Sequence, residues 1–284
     1  MIRDINIAVI GGDKRQKVCA KVLKEKGFVT KCYAVSGEGG VPDLKKISDT
    51  ADVVLLPLPY GDAVRINTPA DITLDTDSLF KALHAHTLVL AGKADTALYS
   101  KARDYGIRVI DYLEREELNV LNAVPTAEGA LELAIRETDI TLHSSNTLIF
   151  GYGRIGKILA KYLDALGARV YVGARRAADI AWISSMGYTP FDINKPREAV
   201  SRADLIFNTV PKQLFDKELL RSVPDDALIV DLASKPGGVC REDASALGKR
   251  VIWALSLPGK TAPVSAGKII AKTVESILKE EGYI

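Results

Sequence analysis

Short runs of consecutive apolar, often β-branched residues recur along the whole chain, and between them apolar positions return every third or fourth residue. The first part carries Ile5 to Ile10, Val29 to Val35, Val53 to Leu56, Thr87 to Leu90 and Ile107 to Asp111. A second series follows, with Thr147 to Phe150, Arg169 to Val172, Leu205 to Thr209, Leu228 to Leu232 and Arg250 to Leu255. Strands that lack polar alternation are those of parallel sheets whose two faces are both covered by helices. Ile155, Ile158, Leu159, Tyr162, Leu163 and Leu166 fall on one helical stripe that Gly167 can end. The pattern predicts an α/β protein with two doubly wound parallel-sheet domains, the C-terminal one a Rossmann dinucleotide-binding fold.

The boundary falls between the two series. Residues 1–120 read as an N-terminal α/β domain on the substrate side, and residues 121–284 as the NAD(P)-binding domain. Pro125 is placed to open a connecting helix over 125–140, with Ala130, Leu131, Ala134 and Ile135 on one face. A last helix over 265–282, with Ile269, Ile270, Thr273, Val274, Ile277 and Leu278 inward, is counted with the second domain by its place in the chain, although its apolar face could pack on either.

Composition narrows the function classes. With 38 basic and 36 acidic residues the formal charge is +2, so there is no electrostatic footprint for nucleic acid or an anionic membrane. No apolar run approaches the roughly 20 residues of a membrane helix. The start, Met1 to Asn6, lacks the succession of a signal peptide, which predicts a cytoplasmic protein. Cys19, Cys32 and Cys240 are widely spaced and read as buried structural thiols. His84 and His86 have no apparent third ligand in the neighbouring sequence, and no metal is expected.

The strongest chemical signal is Thr147-Leu148-Ile149-Phe150 running into Gly151-Tyr152-Gly153-Arg154-Ile155-Gly156 and then into the amphipathic helix. Between a strand and a helix, such glycines make the turn, admit a pyrophosphate to the backbone and let the helix pack closely. The helix N-terminus adds amides and a positive dipole end. An NAD-preferring site carries an acidic residue about 20 positions on. Here Arg175 and Arg176 end the second strand, which points to a 2′-phosphate clamp and to NADP, with NAD as the alternative. Asn208, Thr209, Val210 and Pro211, then Ala233 and Ser234, follow later strands and complete the expected cofactor pocket.

Several strings carry a resemblance to a known family. They are Ile7-Ala8-Val9-Ile10-Gly11-Gly12-Asp13 with Arg15-Gln16, Pro125-Thr126 with Glu128-Gly129, and Thr138-Asp139 with His143. Gly153-Arg154, Val172 to Arg175, Asp231 to Gly238, Leu257-Pro258-Gly259, Ala262-Pro263 and Ala266-Gly267 continue the series. Over nearly its full length the chain resembles the A subunit of dipicolinate synthase, a sporulation enzyme. It departs from that pattern at Ile155, where the family often has Thr, at Leu255-Ser256, where it tends to have Pro-Gly, and at Val264, where a Lys is expected.

The resemblance implies NADP-dependent oxidation of dihydrodipicolinate, or of its hydroxylated tetrahydro precursor after water loss, in the mother cell of a sporulating bacterium. It also implies a partner, a flavoprotein-like B subunit, and an oligomer is expected. A dianionic substrate needs cations, and Arg15, Lys235 and Lys260 lie near glycine turns at strand ends, with Gly12 and Thr126 beside them in the motifs. Arg15 is the first choice, since domain closure would bring it over the nicotinamide. Glu128 and His143 are the titratable groups proposed to take the proton. A 2-hydroxyacid dehydrogenase shares the two-domain design but needs a catalytic His late in the cofactor half, and none follows His143. The non-catalytic alternative is an NADP-binding scaffold or sensor serving the flavoprotein partner.

Overall fold

The computed structural model describes residues 5–37, 43–69 and 71–284. Met1 to Asp4, part of the start read above for a signal peptide, lie outside them. The chain divides into two compact units, Met1–Asn122 with Ala262–Ile284, and Ala123–Thr261.

The first unit alternates β1 (Asn6–Ile10), α1 (Lys14–Glu25), β2 (Val29–Tyr33), α2 (Leu44–Ser48), β3 (Val53–Leu55), α3 (Thr76–Lys81), β4 (Leu88–Ala91), α4 (Thr96–Asp104) and β5 (Arg108–Asp111). Its strands pair in parallel in the order β2-β1-β3-β4-β5. Successive side chains of β1 explain why it reads as unbroken apolar sequence. Ile7 and Val9 enter one core with Cys19, Leu23 and Leu55, while Ala8 and Ile10 enter another with Val54, Phe80 and Leu98.

A 22-residue helix, α5 (Glu116–Glu137), leads into the second unit. There follow β6 (Asn146–Phe150), α6 (Arg154–Ala165), β7 (Arg169–Ala174), α7 (Ala177–Ser185), β8 (Thr189–Asp192), α8 (Arg197–Val200), β9 (Leu205–Asn208) and α9 (Lys217–Arg221). The unit closes with β10 (Leu228–Asp231), α10 (Arg241–Ala246), β11 (Arg250–Trp253) and α11 (Leu257–Thr261). Its six-stranded parallel sheet has the order β11-β10-β9-β6-β7-β8, which is the 3-2-1-4-5-6 winding of a Rossmann fold. One strand, β8, is absent from the sequence reading. It lies at the sheet edge and contains Pro190, a residue that donates no ladder hydrogen bond and weakens a strand signal.

Two helix assignments need correction. The connecting helix begins at Glu116 and not at Pro125, which lies inside it. Proline suits the first helical turn, so the sequence reading opened the helix there, but the structure carries the helix through and leaves the Leu121 carbonyl without its usual amide partner. The last helix, α12 (Pro263–Glu280), belongs to the first unit and not the second. Ile270, Ala271, Val274, Ile277 and Leu278 enter the same core as Cys19, Ala20 and Leu23 of α1. Gly267 permits this closeness, because a Cβ there would stand 2.5 Å from the Arg15 carbonyl oxygen and 2.8 Å from the Val18 Cβ.

Cys19 is buried, while Cys32 and Cys240 are only partly covered, so the reading of three buried thiols holds for one. Among the described residues no helix is long and apolar enough to cross a membrane.

Candidate dinucleotide site

At the carboxyl end of β6 the chain turns at Gly151, whose φ of +98° is left-handed. A side chain there would be strained by the backbone and would also meet the Thr209 Oγ1 at 2.6 Å. The Thr209 hydroxyl donates to the Phe150 carbonyl at 2.8 Å, so the two neighbouring loops are tied together. Gly156 is required by packing, since a Cβ would lie 2.1 Å from the Gly151 carbonyl oxygen. Gly153 differs from both. It caps α6 with extended backbone and no side-chain cap, and a Cβ added to it would meet nothing within 4 Å. The protein itself does not need a glycine at 153; a ligand approaching the uncapped amides of α6 does. The residues present therefore fit a dinucleotide pyrophosphate.

Beyond the turn lies a cleft of about 500 Å³, bounded by Gly151 to Gly153, by Gly173 to Arg176 and by Val210 to Lys212. The two arginines are not equivalent. Arg176 donates through Nε at 2.8 Å and Nη2 at 3.0 Å to the Asp179 carboxylate, which raises its pKa further above the ordinary value. Arg175 is exposed and has no partner among the described residues. Lys212, which sequence reasoning missed, is exposed on the same cleft. Its position after a Val-Pro turn carried no signal by itself; only the fold puts it beside Arg175. Burial, and then the charge of Asp179, push the Tyr152 hydroxyl above its usual pKa.

A buried polar node holds the loops after β9 and β10. The Asn208 Nδ2 donates to the Asp231 Oδ1 at 2.8 Å, and the Val210 amide donates to the Asn208 Oδ1 at 3.2 Å. Asp231 also accepts from the Ala233 amide at 3.2 Å and the Gly238 amide at 2.8 Å. Gly238 is obligatory there, because its Cβ would stand 2.0 Å from the Asn208 Nδ2. Asn208, with no exposed surface, and Ala233 thus position the pocket rim from beneath. Ser234 and Lys235 stand exposed on the loop above them. Asp231 is a further residue the sequence reading did not assign to the site.

The remaining expected residues scatter. Arg154, exposed, and Ile155, half-buried, open α6. Lys260 is exposed near the end of α11, which follows β11. Glu128 is exposed in the middle of α5. It neighbours Gly129, whose Cβ would lie 2.7 Å from the Thr261 Oγ1, so this stretch of α5 packs on α11. Thr126 lies half-buried on the same helix. His143 is a correction. It precedes β6 and lies over Gly167, at the amino edge of the sheet, whereas dinucleotides bind at the carboxyl edge. The five-residue strand alone separates the two by roughly 16 Å at about 3.3 Å per residue.

In the first unit Gly12 is buried with φ +93°, and its amide donates to the Asn67 carbonyl at 2.8 Å. Arg15 is buried as well. Its Nε reaches both Asp13 oxygens at 3.0 and 3.1 Å, and its Nη2 reaches Asp13 at 2.8 Å and the Leu58 carbonyl at 2.6 Å. It is neither a surface residue nor an uncommitted cation.

The winding of the second sheet and its glycine cradle define a nicotinamide-dinucleotide-binding protein of the dehydrogenase type. Residues 126–248 match the family model of the NAD binding domain of D-isomer specific 2-hydroxyacid dehydrogenases, and residues 6–113 match that of the N-terminal domain of the dipicolinate synthase A subunit. The chain belongs to the family of dipicolinate synthase A subunits. It is 33% identical over 291 residues to the dipicolinate synthase A subunit of Bacillus subtilis (strain 168), covering 99% of this chain and 98% of that one. The crystal structure of the dipicolinate synthase A subunit from Bacillus halodurans is similar with a TM-score of 0.90 and 29% identity, over 98% of this chain and 99% of that one. The crystal structure of its Bacillus subtilis counterpart is similar with a TM-score of 0.87 and 31% identity, over 99% and 97%. Membership in a family of A subunits implies a partner subunit.

Proposed function

We propose that this chain, together with a flavoprotein-like B subunit, oxidises dihydrodipicolinate, or its hydroxy-tetrahydro precursor after loss of water, to dipicolinate with NADP. The observation that carries the reading is the relation to the Bacillus subtilis A subunit, which runs through both units of the chain. The glycine cradle supports the cofactor, and the basic cleft of Arg175, Arg176 and Lys212 supports a 2′-phosphate over a free ribose hydroxyl.

Forming the pyridine removes one hydride and one proton from the ring, and aromaticity supplies driving force. When bound, the nicotinamide accepts the hydride. The chain's own task is to orient and to neutralise. The amides at the start of α6 hold the pyrophosphate, while Arg175 and Lys212 meet the 2′-phosphate. Lys235, on the loop after β10, and Lys260, in α11 after β11, are the cations for the two carboxylates. Glu128, exposed on α5 in the second unit, is the candidate to accept the ring proton directly or through water.

The test is an assay of the purified chain on enzymatically generated dihydrodipicolinate with NADP or NAD, with and without the B subunit. Growth of the dipicolinate absorbance together with NADPH formation is expected, faster with NADP than with NAD. Cofactor binding without turnover in either arm would leave the chain as a scaffold or sensor.

A further inference from the structure

Of the described residues that bound the dinucleotide cleft, Asp179 is the one acidic side chain, set among Arg175, Arg176 and Lys212. It stands in the first turn of α7, a helix of nine residues whose N-cap, Arg176, supplies no side-chain cap. The acidic residue of an NAD site is expected at the end of the second strand, where this chain has Gly173 and Ala174 before its two arginines. Asp179 comes one helical turn later, and the fold returns it to the same cleft.

Two attractions hold its carboxylate, and each is one that would also hold a phosphate. The first is the Arg176 guanidinium, which donates to both oxygens, through Nε at 2.8 Å and Nη2 at 3.0 Å. The second is the positive end of the α7 dipole. A 2′-phosphate entering the cleft therefore competes with Asp179 for its own partners. The two members of the ion pair differ in freedom, since the Arg176 side chain is 79% exposed and that of Asp179 only 21%. Arg176 can swing toward a ligand while Asp179 stays in the wall, near enough to Tyr152 that its charge, after burial, helps to raise the pKa of that hydroxyl. Once Arg176 has turned away, an uncompensated carboxylate remains beside the phosphate, and like charges oppose each other most where water is partly excluded. A cofactor whose ribose keeps its free hydroxyl brings no charge to this place and leaves the ion pair intact.

We infer that Asp179 sets the discrimination between NADP and NAD, by holding Arg176 and by opposing the 2′-phosphate. It limits the preference for NADP that Arg175 and Lys212 create. The inference rests on the dinucleotide reading of the cleft.

The experiment titrates the full chain calorimetrically with NADPH and with NADH, alongside thermal melting. Asp179→Asn keeps the shape and an acceptor in the first turn of α7 but removes the charge. Its dissociation constant for NADPH should fall about five-fold or more, because a guanidinium is freed and a repulsion removed, while that for NADH stays within about two-fold. Asp179→Glu keeps the charge and should bind both cofactors within about two-fold of wild type. Asp179→Ser, also uncharged, should show the same NADPH gain and carries the test if the Asn variant melts early. If the neutral variants bind NADPH no tighter than wild type, if they tighten both cofactors equally, or if Asp179→Glu gains as much, Asp179 is only a structural partner of Arg176 and the inference falls. If wild type binds neither cofactor, the dinucleotide reading falls and takes this one with it.

Discussion

At the scale of single residues, side chains of one type are separated by what each is already doing. Arg175 and Arg176 are adjacent and identical in sequence terms, but Arg176 is held by Asp179 while Arg175 is free to meet a ligand. Arg175→Ala should therefore weaken NADPH binding ten-fold or more and leave NADH binding nearly unchanged. Arg176→Ala should have the smaller effect on NADPH, because its guanidinium must first leave a bidentate partner. Calorimetric titration of both variants with both cofactors checks the order. The basic end of β7 was legible in the sequence; the division of labour was not, because which of two adjacent guanidinium groups Asp179 takes is settled by side-chain geometry. Ser256 makes a related point. It has a φ of +61°, a conformation natural to glycine, and it stands where the family pattern places glycine. The departure seen in the sequence is thus a strained position in the structure.

At the scale of elements, the strand-turn-helix of β6 and α6 was readable in full because its signals are local. The apolar strand, the glycine spacing and the helical stripe all lie within twenty-odd residues. What the spacing could not tell is which glycine serves the fold and which the ligand. Gly156→Ala should lower the melting temperature, since a Cβ would have to displace backbone 2.1 Å away. Gly153→Val should melt like wild type yet lose NADPH binding, because its side chain enters space that the protein leaves open. Melting curves and cofactor titrations of the two variants would separate the roles; equal behaviour would contradict them. The α5 helix shows the opposite limit. Pro125 is a strong local signal for a helix start, and packing overrode it, as Ala123, Ala127 and Ala130 are all buried along the continuous helix.

At the scale of the whole molecule, the decisive surprise is the chain's return. The last helix follows the cofactor-binding strands in sequence, yet it completes the core of the first unit against α1. Ion pairs reinforce the docking, with Arg115 to Glu280 at 2.5 Å and Arg108 to Glu281 at 2.8 Å, although partly exposed pairs of this kind contribute little each. The apolar face contributes most. Leu278 has no exposed surface, so Leu278→Ala should destabilise by about 2 to 5 kcal/mol in chemical denaturation. Because the helix belongs to the first unit, NADPH affinity of the folded variant should not change, which cofactor titration below the transition would show.

The sequence alone determined the βα alternation, the two sheets, the glycine turn and the basic end of β7, because each is written in residues that are neighbours along the chain or one helical turn apart. Tertiary structure decided what depends on long-range contact. An amphipathic helix announces that it has an apolar face but not which core will take it, so α12 could be placed only by its packing on α1. His143 and Arg15 read as candidates by composition of their motifs; the first proved to lie at the wrong edge of its sheet and the second to be spent on Asp13.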